Sequence, residues 1–226
     1  MTKSEVRQEI RRRKAACSAE ERAVLSRQVT AKLVATPQWQ HAHTVLLYHS
    51  LPDEVATHQL ITEALSAGKR VLLPVVVGDD LELRFLPTPD ALREGAFHIL
   101  EPTGAPFTDY AAIDLAVIPG VAFTPDGRRL GRGRGYYDRL LAHFPQSLSS
   151  SLSSSLSPSL KAKRVLRGLP LGHPCPMRGG ITPMPTGLRR PGGEPSPYLI
   201  GLCWPFQLLA DLPTEPHDLT VHAVIA

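Results

Sequence analysis

The most informative segment for chemistry is the run of glycines and arginines between Pro119 and Asp138. It follows an apolar run of strand length and precedes a predicted helix, where backbone N–H groups and the helix dipole favour anionic oxygens. Glycines let the backbone approach a ligand closely, and arginines offer forked donors that match phosphate or carboxylate. We therefore predict an anion-binding loop formed by Arg129, Leu130, Gly131, Arg132, Gly133, Arg134 and Gly135.

The residues that follow these glycines each allow two interpretations. Asp138 can hold Mg²⁺ through its carboxylate or cap the helix, and by itself the sequence favours neither. Tyr136 and Tyr137 can stack on a ligand ring or anchor the helix in the core. The GxxxxGK[ST] pattern of a Walker loop is absent, and a GxGxG string alone is weak evidence for nucleotide binding.

The complete string is much more specific. Residues 127–138, GRRLGRGRGYYD, resemble the G-x-R-L-G-x-G-x-G-Y-Y-D element of the 5-formyltetrahydrofolate cyclo-ligase family at every fixed position. The resemblance extends over residues 3–145 and 198–226. It implies an enzyme that uses ATP and Mg²⁺ to convert 5-formyltetrahydrofolate to 5,10-methenyltetrahydrofolate, with release of ADP and phosphate. Its implied catalytic residues are Arg132, Arg134 and Tyr136.

Two basic residues near the N-terminus fit the same family. Lys3 and Arg7 lie one helical turn apart, as a Lys and an Arg do in the family, where they contact ATP phosphates. The resemblance therefore adds both, with Arg129–Gly135, Tyr136 and Tyr137, to the expected ATP-binding set. The alternative is a solvated basic helix face, because residues 11–14 are basic as well.

The segment YHSLPDEV, residues 48–55, resembles the folate-pocket segment of the family. Glu54 is implied to recognise the pterin, since a carboxylate can accept two parallel hydrogen bonds from an amino group and a ring N–H. His49 falls at a substrate-contact position that is usually apolar in the family. Asp53 is predicted to cap the helix that follows.

The resemblance also implies a metal site and exposes two departures. Asp218 matches a family Mg²⁺ ligand, so Asp138 and Asp218 are the expected metal residues, with a turn as the alternative for Asp218. Thr124 and His222 stand where many members carry Asp, which is expected to weaken metal or nucleotide contacts.

The N-terminal half shows a βαβ rhythm. Residues 4–36 have helical apolar spacing with a break near Cys17, and Ser18 with Glu21 predicts a capping box for a second helix. Further predicted elements are strands at 44–49, 70–77 and 81–86, a helix at 57–67 and a helical turn at 90–94.

The rest of the chain continues this alternation. The predictions are strands at 115–119, 198–203 and 221–225 and a helix at 136–142. Such alternation predicts an α/β protein, a Rossmann-like three-layer α/β/α sandwich with a mainly parallel (mixed) sheet and binding loops beyond the strand C-termini.

Residues 146–197 interrupt this pattern with a Ser-rich, then Pro/Gly/Arg-rich tract. Its composition predicts a disordered insertion, so residues 1–145 and 198–226 are expected to form one domain. The insertion is expected either to displace the strand at 198–203 or to loop out into solvent. It holds seven basic residues and one acidic, a net of +6, so the remainder carries −2 of the chain's +4.

The charge distribution and composition limit the remaining classes. An RNA-binding module would need interleaved aromatic residues, so we expect no nucleic-acid partner. The non-enzymatic alternative is a catalytically impaired relative of the family. Three unpaired cysteines, no apolar run of membrane length and no secretory signal predict a cytoplasmic protein. The resemblance implies ATP and 5-formyltetrahydrofolate as its ligands, with polyglutamylation left open, and we expect a monomer.

Overall fold

A computed structural model describes residues 1–95, 98–144, 197–213, 215, 218 and 220–226. The helices in this part of the chain are α1 (Lys3–Ala16), α2 (Ala19–Val34), α3 (Pro37–His41), α4 (His58–Ser66) and α5 (Tyr136–Ala142). The strands are β1 (Thr44–Leu46), β2 (Arg70–Val77), β3 (Asp80–Leu86), β4 (Leu92–Glu94), β5 (Leu100–Pro102), β6 (Pro106–Phe107), β7 (Leu115–Pro119), β8 (Ala122–Phe123), β9 (Arg129–Leu130), β10 (Tyr198–Leu202) and β11 (Ala223–Ile225).

Seven of these strands form the central sheet, in the order β11-β10-β7-β1-β2-β3-β6. The pairings from β11 across to β2 are parallel. The pairings of β3 with β2 and with β6 are antiparallel. The α/β class and the mixed, mainly parallel sheet are therefore confirmed.

Successive residues of the central strands pack into different apolar clusters, as the period of two requires. Val45 belongs to a cluster that includes Leu33 of α2 and Leu60 of α4. Leu46 belongs to another cluster, with Leu140 of α5. Helices thus cover the buried residues of the sheet in both clusters.

The two N-terminal helices begin at capping boxes. Thr2 accepts a hydrogen bond from the Glu5 N–H at α1, while the Glu5 carboxylate accepts one from the Thr2 N–H. Ser18 and Glu21 make the same reciprocal pair at α2, which confirms the predicted box and the break near Cys17. A capping box needs residues only three apart, so it is readable from local sequence.

The observed strands agree with most predicted ones and differ at specific places. The strands at 70–77 and 115–119 have the predicted bounds, whereas β1 ends at Leu46, three residues early. The helical turn predicted at 90–94 is wrong, because Leu92–Glu94 pairs antiparallel with Leu100–Pro102. This pairing depends on residues farther along the chain, which local pattern does not reveal.

The strand that follows the predicted insertion lies inside the sheet. β10 pairs with β7 along its whole length, from Tyr198 opposite Leu115 to Leu202 opposite Pro119. Displacement of this strand, one of the two expected outcomes, is therefore wrong. Residues 146–196 lie outside the described part of the chain, and the prediction of a disordered insertion stays a prediction.

Cys17 and Cys203 are free thiols, as expected, and Cys175 lies outside the described residues. Burial raises the pKa of Cys203 to about 12. None of the described helices combines the length and apolarity needed to span a membrane.

Candidate functional site

A cavity of about 340 Å³ opens at the carboxyl ends of the central parallel strands. Tyr48 and Glu54 from the segment after β1 form one side, and Pro119 and Gly120 at the end of β7 form another. Loops beyond strand C-termini are where open α/β sheets bind ligands. The predicted site residues in the wall are His49, Glu54, Arg129, Gly131, Arg132, Gly133, Arg134, Gly135, Tyr136, Tyr137 and Asp138.

The glycines give the loop a backbone that other residues would strain. Gly133 has φ +100° and Gly135, the N-cap of α5, has φ +72°. Both values lie in the left-handed region that favours glycine. The loop is also tied to α1, because the Arg7 Nε donates to the Gly131 carbonyl at 3.0 Å. Arg7 therefore contacts the predicted anion-binding loop from outside the cavity wall.

Arg132 forms ion pairs with Glu54, on the opposite wall, and with the neighbouring Asp53. Its Nε and Nη2 donate to Oε1 of Glu54 at 3.1 and 2.9 Å, and Nη2 also donates to Oδ1 of Asp53 at 2.6 Å. The other Glu54 oxygen accepts from the Leu51 N–H at 3.1 Å. The predicted phosphate and pterin residues thus contact each other.

The prediction that Asp53 caps the following helix is wrong. The N-cap of α4 is Thr57, which makes no side-chain capping bond. The Asp53 carboxylate instead accepts from Lys14 at 3.1 Å and from Arg132. Local spacing suggested a cap, but two long cationic side chains from distant segments compete for this carboxylate.

Arg129 is buried behind the loop, and its guanidinium forms hydrogen bonds with other groups of the protein. Its side chain is 3% exposed, its Nη1 donates to the Pro119 carbonyl at 3.2 Å, and its Nη2 donates to the Asp138 carboxylate. Its buried Nε has no hydrogen-bond partner within the described residues. Arg129 therefore compensates the charge of Asp138 and supports the cavity wall.

Asp138 does not cap α5. Gly135 occupies the N-cap position. Asp138 lies in the first turn, where the helix dipole stabilises its negative charge. Its carboxylate lines the cavity, and its side chain is 38% exposed, so a cation held by a ligand's phosphates can reach it. Asp138 therefore fits a Mg²⁺ ligand shared with a nucleotide, because Mg²⁺ usually takes only one or two carboxylates from the protein.

Asp218 has a different environment. Its two oxygens accept from Lys3 at 2.9 and 2.8 Å, and Lys3 also pairs with Glu215 at 3.2 Å. The hydrogen bond to Asp218 raises the pKa of Lys3. Lys3, Arg7 and Asp218 are not among the described residues of the cavity wall. No cluster of three or more candidate metal-binding side chains occurs within the described ranges.

The sequence allowed Tyr136 and Tyr137 either to stack on a ligand or to anchor the helix, and the structure distinguishes the two residues. Tyr137 packs against the apolar cluster around α5 while also lining the cavity, and burial raises its pKa. Tyr136 is half-buried and lies under the Arg139 guanidinium, 5.4 Å from the ring centroid. Tyr137 therefore anchors the helix, and both tyrosines line the cavity.

His49 lines the cavity beside a second histidine. The rings of His49 and His58 lie 4.2 Å apart between centroids. Burial, with a smaller contribution from His58, lowers the pKa of His49 to about 4. His49 is therefore neutral at neutral pH and offers a ligand a hydrogen-bonding ring without charge.

Several wall residues were missed by sequence reasoning. The motif identified the segments after β1 and β7, but residues in β2 and β3 and in or just before β5 looked like ordinary core or hairpin residues. Val76 and Leu81 pair across the short turn between β2 and β3, and the Gly78-Asp79 dipeptide there is a signal for this hairpin. That signal does not show which face of the hairpin meets the cavity. The missed wall residues are Pro74, Val76, Leu81, Ile99 and Glu101.

The two departures from the family pattern have structural roles. Thr124 is fully buried, and its hydroxyl accepts from the Arg128 N–H at 3.1 Å. His222 accepts from the Leu199 N–H at 2.8 Å and stacks on Tyr198. Neither belongs to the described cavity wall. The expected weakening of metal or nucleotide contacts stays a prediction.

The fold and the site together define an α/β protein with a basic, glycine-lined cavity at the carboxyl ends of its parallel strands. The model of the 5-formyltetrahydrofolate cyclo-ligase family matches residues 1–159. A mouse 5-formyltetrahydrofolate cyclo-ligase is 32% identical over 60% of this chain and 71% of its own length. The corresponding Escherichia coli K12 enzyme is 33% identical over 60% of this chain and 77% of its own.

Solved structures agree with the sequence comparison. The structure of a 5,10-methenyltetrahydrofolate synthetase from Aquifex aeolicus matches with a TM-score of 0.70 and 27% identity, covering 100% of this chain and 89% of that one. The chain belongs to the 5-formyltetrahydrofolate cyclo-ligase family.

Proposed function

We propose that this chain converts 5-formyltetrahydrofolate to 5,10-methenyltetrahydrofolate with hydrolysis of ATP to ADP and phosphate. Family membership gives the reaction class. The observation that carries the proposal is the juxtaposition of Arg132, on the glycine loop, with Glu54 on the opposite wall. One cavity thus combines a cation suited to phosphate with a carboxylate suited to the pterin.

The proposed reaction needs positioning and charge neutralisation rather than a side-chain nucleophile. The N5-formyl oxygen attacks the γ-phosphorus of ATP, and the bond between this phosphorus and the ADP oxygen breaks. N10 then attacks the activated formyl carbon, phosphate leaves with the former formyl oxygen, and N10 loses its proton. Arg132 and Arg134 would neutralise the transferring phosphoryl group, and loop N–H groups would orient it.

Tyr136, Lys3 and Arg7 complete the proposed nucleotide-binding set. Tyr136 lines the cavity beside Arg134 and can support a ring or a phosphate of the nucleotide. Arg7 contacts the loop carbonyl at Gly131, so it can act on the phosphates by fixing the loop. The fit of Lys3 is weaker, because Asp218 and Glu215 already compensate its charge.

Mg²⁺ is the proposed cofactor, held by Asp138 with the nucleotide's phosphates. Bound there, it would neutralise phosphate charge and polarise the transferring group. Asp218 would join it only if Lys3 released its carboxylate. A cytoplasmic location, a monomeric state, acceptance of polyglutamylated substrate and the absence of a nucleic-acid partner stay predictions.

The test is the rise in 5,10-methenyltetrahydrofolate absorbance when purified protein meets 5-formyltetrahydrofolate, Mg²⁺ and ATP. Reactions without ATP and without substrate are the controls. A variant lacking residues 147–195 tests whether 1–145 and 198–226 suffice as one catalytic domain. Activity of the full chain supports the function, and activity of the shortened variant supports the domain assignment. No activity in either protein would indicate the alternative, a catalytically impaired relative.

A further inference from the structure

Lys14 is a buried cation behind the folate side of the cavity. It lies in the last turn of α1, and its side chain is 11% exposed. Its Nζ donates to the carbonyl and to Oδ2 of Asp53, at 2.5 and 3.1 Å. Nζ also lies 5.6 Å from the centroid of the Trp204 ring. A charge this buried persists only with such partners, so Lys14 fixes Asp53 through both backbone and side chain.

The fixed Asp53 connects Lys14 to the ligand side of the cavity. Its Oδ1 accepts from Arg132 at 2.6 Å, and Arg132 also donates to Oε1 of Glu54. Two cations and two carboxylates therefore alternate in the order Lys14, Asp53, Arg132, Glu54. The charges of the four groups sum to zero. When Arg132 leaves, the two carboxylates keep only one cation, Lys14, beside them.

A phosphate would draw Arg132 away from this arrangement. Two adjacent carboxylates would then face each other with one cation fewer, and like charges this close repel strongly in a partly buried site. Lys14 contacts Asp53 but has no hydrogen bond to Glu54 among the described residues. The carboxylate that loses its cation is thus Glu54, and it is the one in the cavity wall.

We propose that Lys14 is a positioning residue for the folate: it compensates Asp53 when Arg132 turns to the phosphates, so that Glu54 alone is released to bind the pterin. The inference rests on the proposed function. Its contribution should appear in folate recognition rather than in phosphoryl transfer, because Lys14 lies behind the segment that carries Glu54 and is not a described wall residue.

Steady-state kinetics of Lys14→Met, Lys14→Arg and Arg11→Met test this role. Arg11 is an exposed cation of the same helix, so Arg11→Met controls for loss of helix charge. Lys14→Met should raise the KM for 5-formyltetrahydrofolate by about tenfold, the effect of losing one charge-assisted contact. The KM for ATP should rise in the same direction, because without Lys14 the move of Arg132 from the two carboxylates to the phosphates costs more, and kcat should change by less than about threefold. Lys14→Arg should restore most of the folate affinity, and Arg11→Met should match the wild type.

Lys14→Met/Asp53→Asn removes both charges of the pair, so that neither a buried cation nor an uncompensated Asp53 carboxylate is left. Its folate KM should return to within about threefold of wild type, because the effect of Lys14→Met comes from the uncompensated Asp53. An unchanged folate KM in Lys14→Met, or a double variant no better than Lys14→Met, would overturn the positioning role. A wild-type protein without turnover would instead overturn the proposed function, and the inference with it.

Discussion

Arg132 and Glu54 bind each other across the cavity through two arginine nitrogens, at 3.1 and 2.9 Å from the same carboxylate oxygen. The sequence assigned these residues to different ligands, a phosphate and a pterin. Both Glu54 oxygens accept hydrogen bonds from the protein, one from Arg132 and the other from the Leu51 N–H. While this pair persists, Glu54 cannot accept two hydrogen bonds from a pterin, and Arg132 cannot turn fully to a phosphate. The Arg132–Glu54 ion pair therefore links the two halves of the site.

This pair predicts that nucleotide strengthens folate binding. A phosphate that attracts Arg132 frees Glu54, so a non-hydrolysable ATP analogue should lower the Kd for 5-formyltetrahydrofolate by about fivefold or more. Arg132→Gln should bind folate with little dependence on the analogue. Isothermal titration with and without the analogue measures both values. Arg27→Gln, at an exposed site on α2, is the control, and coupling of equal size in Arg132→Gln would contradict the argument.

Arg134 should matter for turnover and little for folding. It lies in the cavity wall on the exposed part of the loop, where its charge can meet the transferring phosphoryl group. Arg134→Ala should lower kcat by about 100-fold, the usual effect of removing one donor to a developing charge. The melting temperature should stay within a few degrees of wild type, as for Arg27→Ala. An unchanged kcat would remove Arg134 from the mechanism.

The contrast between Ser18 and Asp53 shows which hydrogen-bond partners could be predicted from the sequence alone. Ser18 forms the predicted cap because its partner Glu21 is three residues away. Asp53 does not, because Lys14 and Arg132, 39 and 79 residues away, bind its carboxylate. Elements set by local spacing were predictable, whereas partners set by tertiary contacts were not.

The cavity wall follows the same division. The motif identified the loop from Gly131 to Gly135 because its chemistry is encoded in consecutive residues. Val76 and Leu81 are register partners in the local β2–β3 hairpin, but they enter the wall only because β3 packs against α5 beside the glycine loop. Leu92–Glu94 was assigned to a turn for the same reason, since its strand partner begins at Leu100.

His49 should make folding stability depend on pH in a defined window. Its pKa is lowered from 6.5 to about 4, so between these values the unfolded chain binds the additional proton. The contribution of His49 is therefore fully present above pH 6.5 and is lost as pH falls toward 4. His49→Gln removes this titration, and its melting temperature relative to wild type should be higher at pH 5 than at pH 7. Thermal unfolding at both values checks this, and a constant difference would contradict the lowered pKa.

Asp138→Asn should weaken the metal dependence of the reaction. Asn keeps an oxygen that can accept from Arg129 but removes the negative charge that would hold Mg²⁺. The Mg²⁺ concentration for half-maximal rate should rise by about tenfold, a loss of about 1.4 kcal/mol in metal binding. Binding of Mn²⁺ in the presence of ADP, followed by electron paramagnetic resonance, gives a readout independent of turnover. Asp218→Asn should have the smaller effect, because Asp218, unlike Asp138, is not a described wall residue.

Gly133→Ala separates backbone strain from loss of ligand affinity. Gly133 has φ +100°, and an added Cβ would lie 3.5 Å from the Arg7 guanidinium, so alanine fits the space but not the backbone conformation. The matched control is Gly68→Ala, at φ +75° beyond the end of α4, where a Cβ would have no atom within 4 Å. Each substitution should lower the unfolding free energy by about 1 kcal/mol, the usual cost of a left-handed non-glycine residue.

Only Gly133→Ala should change the nucleotide affinity, because relief of its strain would move the glycine loop that lines the cavity. Its KM for ATP should rise several-fold, while that of Gly68→Ala should match wild type. Chemical denaturation and steady-state kinetics on the two variants measure stability and affinity separately. Equal KM values would mean that the loop keeps its conformation at the expense of stability alone, and that the left-handed glycine serves folding rather than phosphate binding.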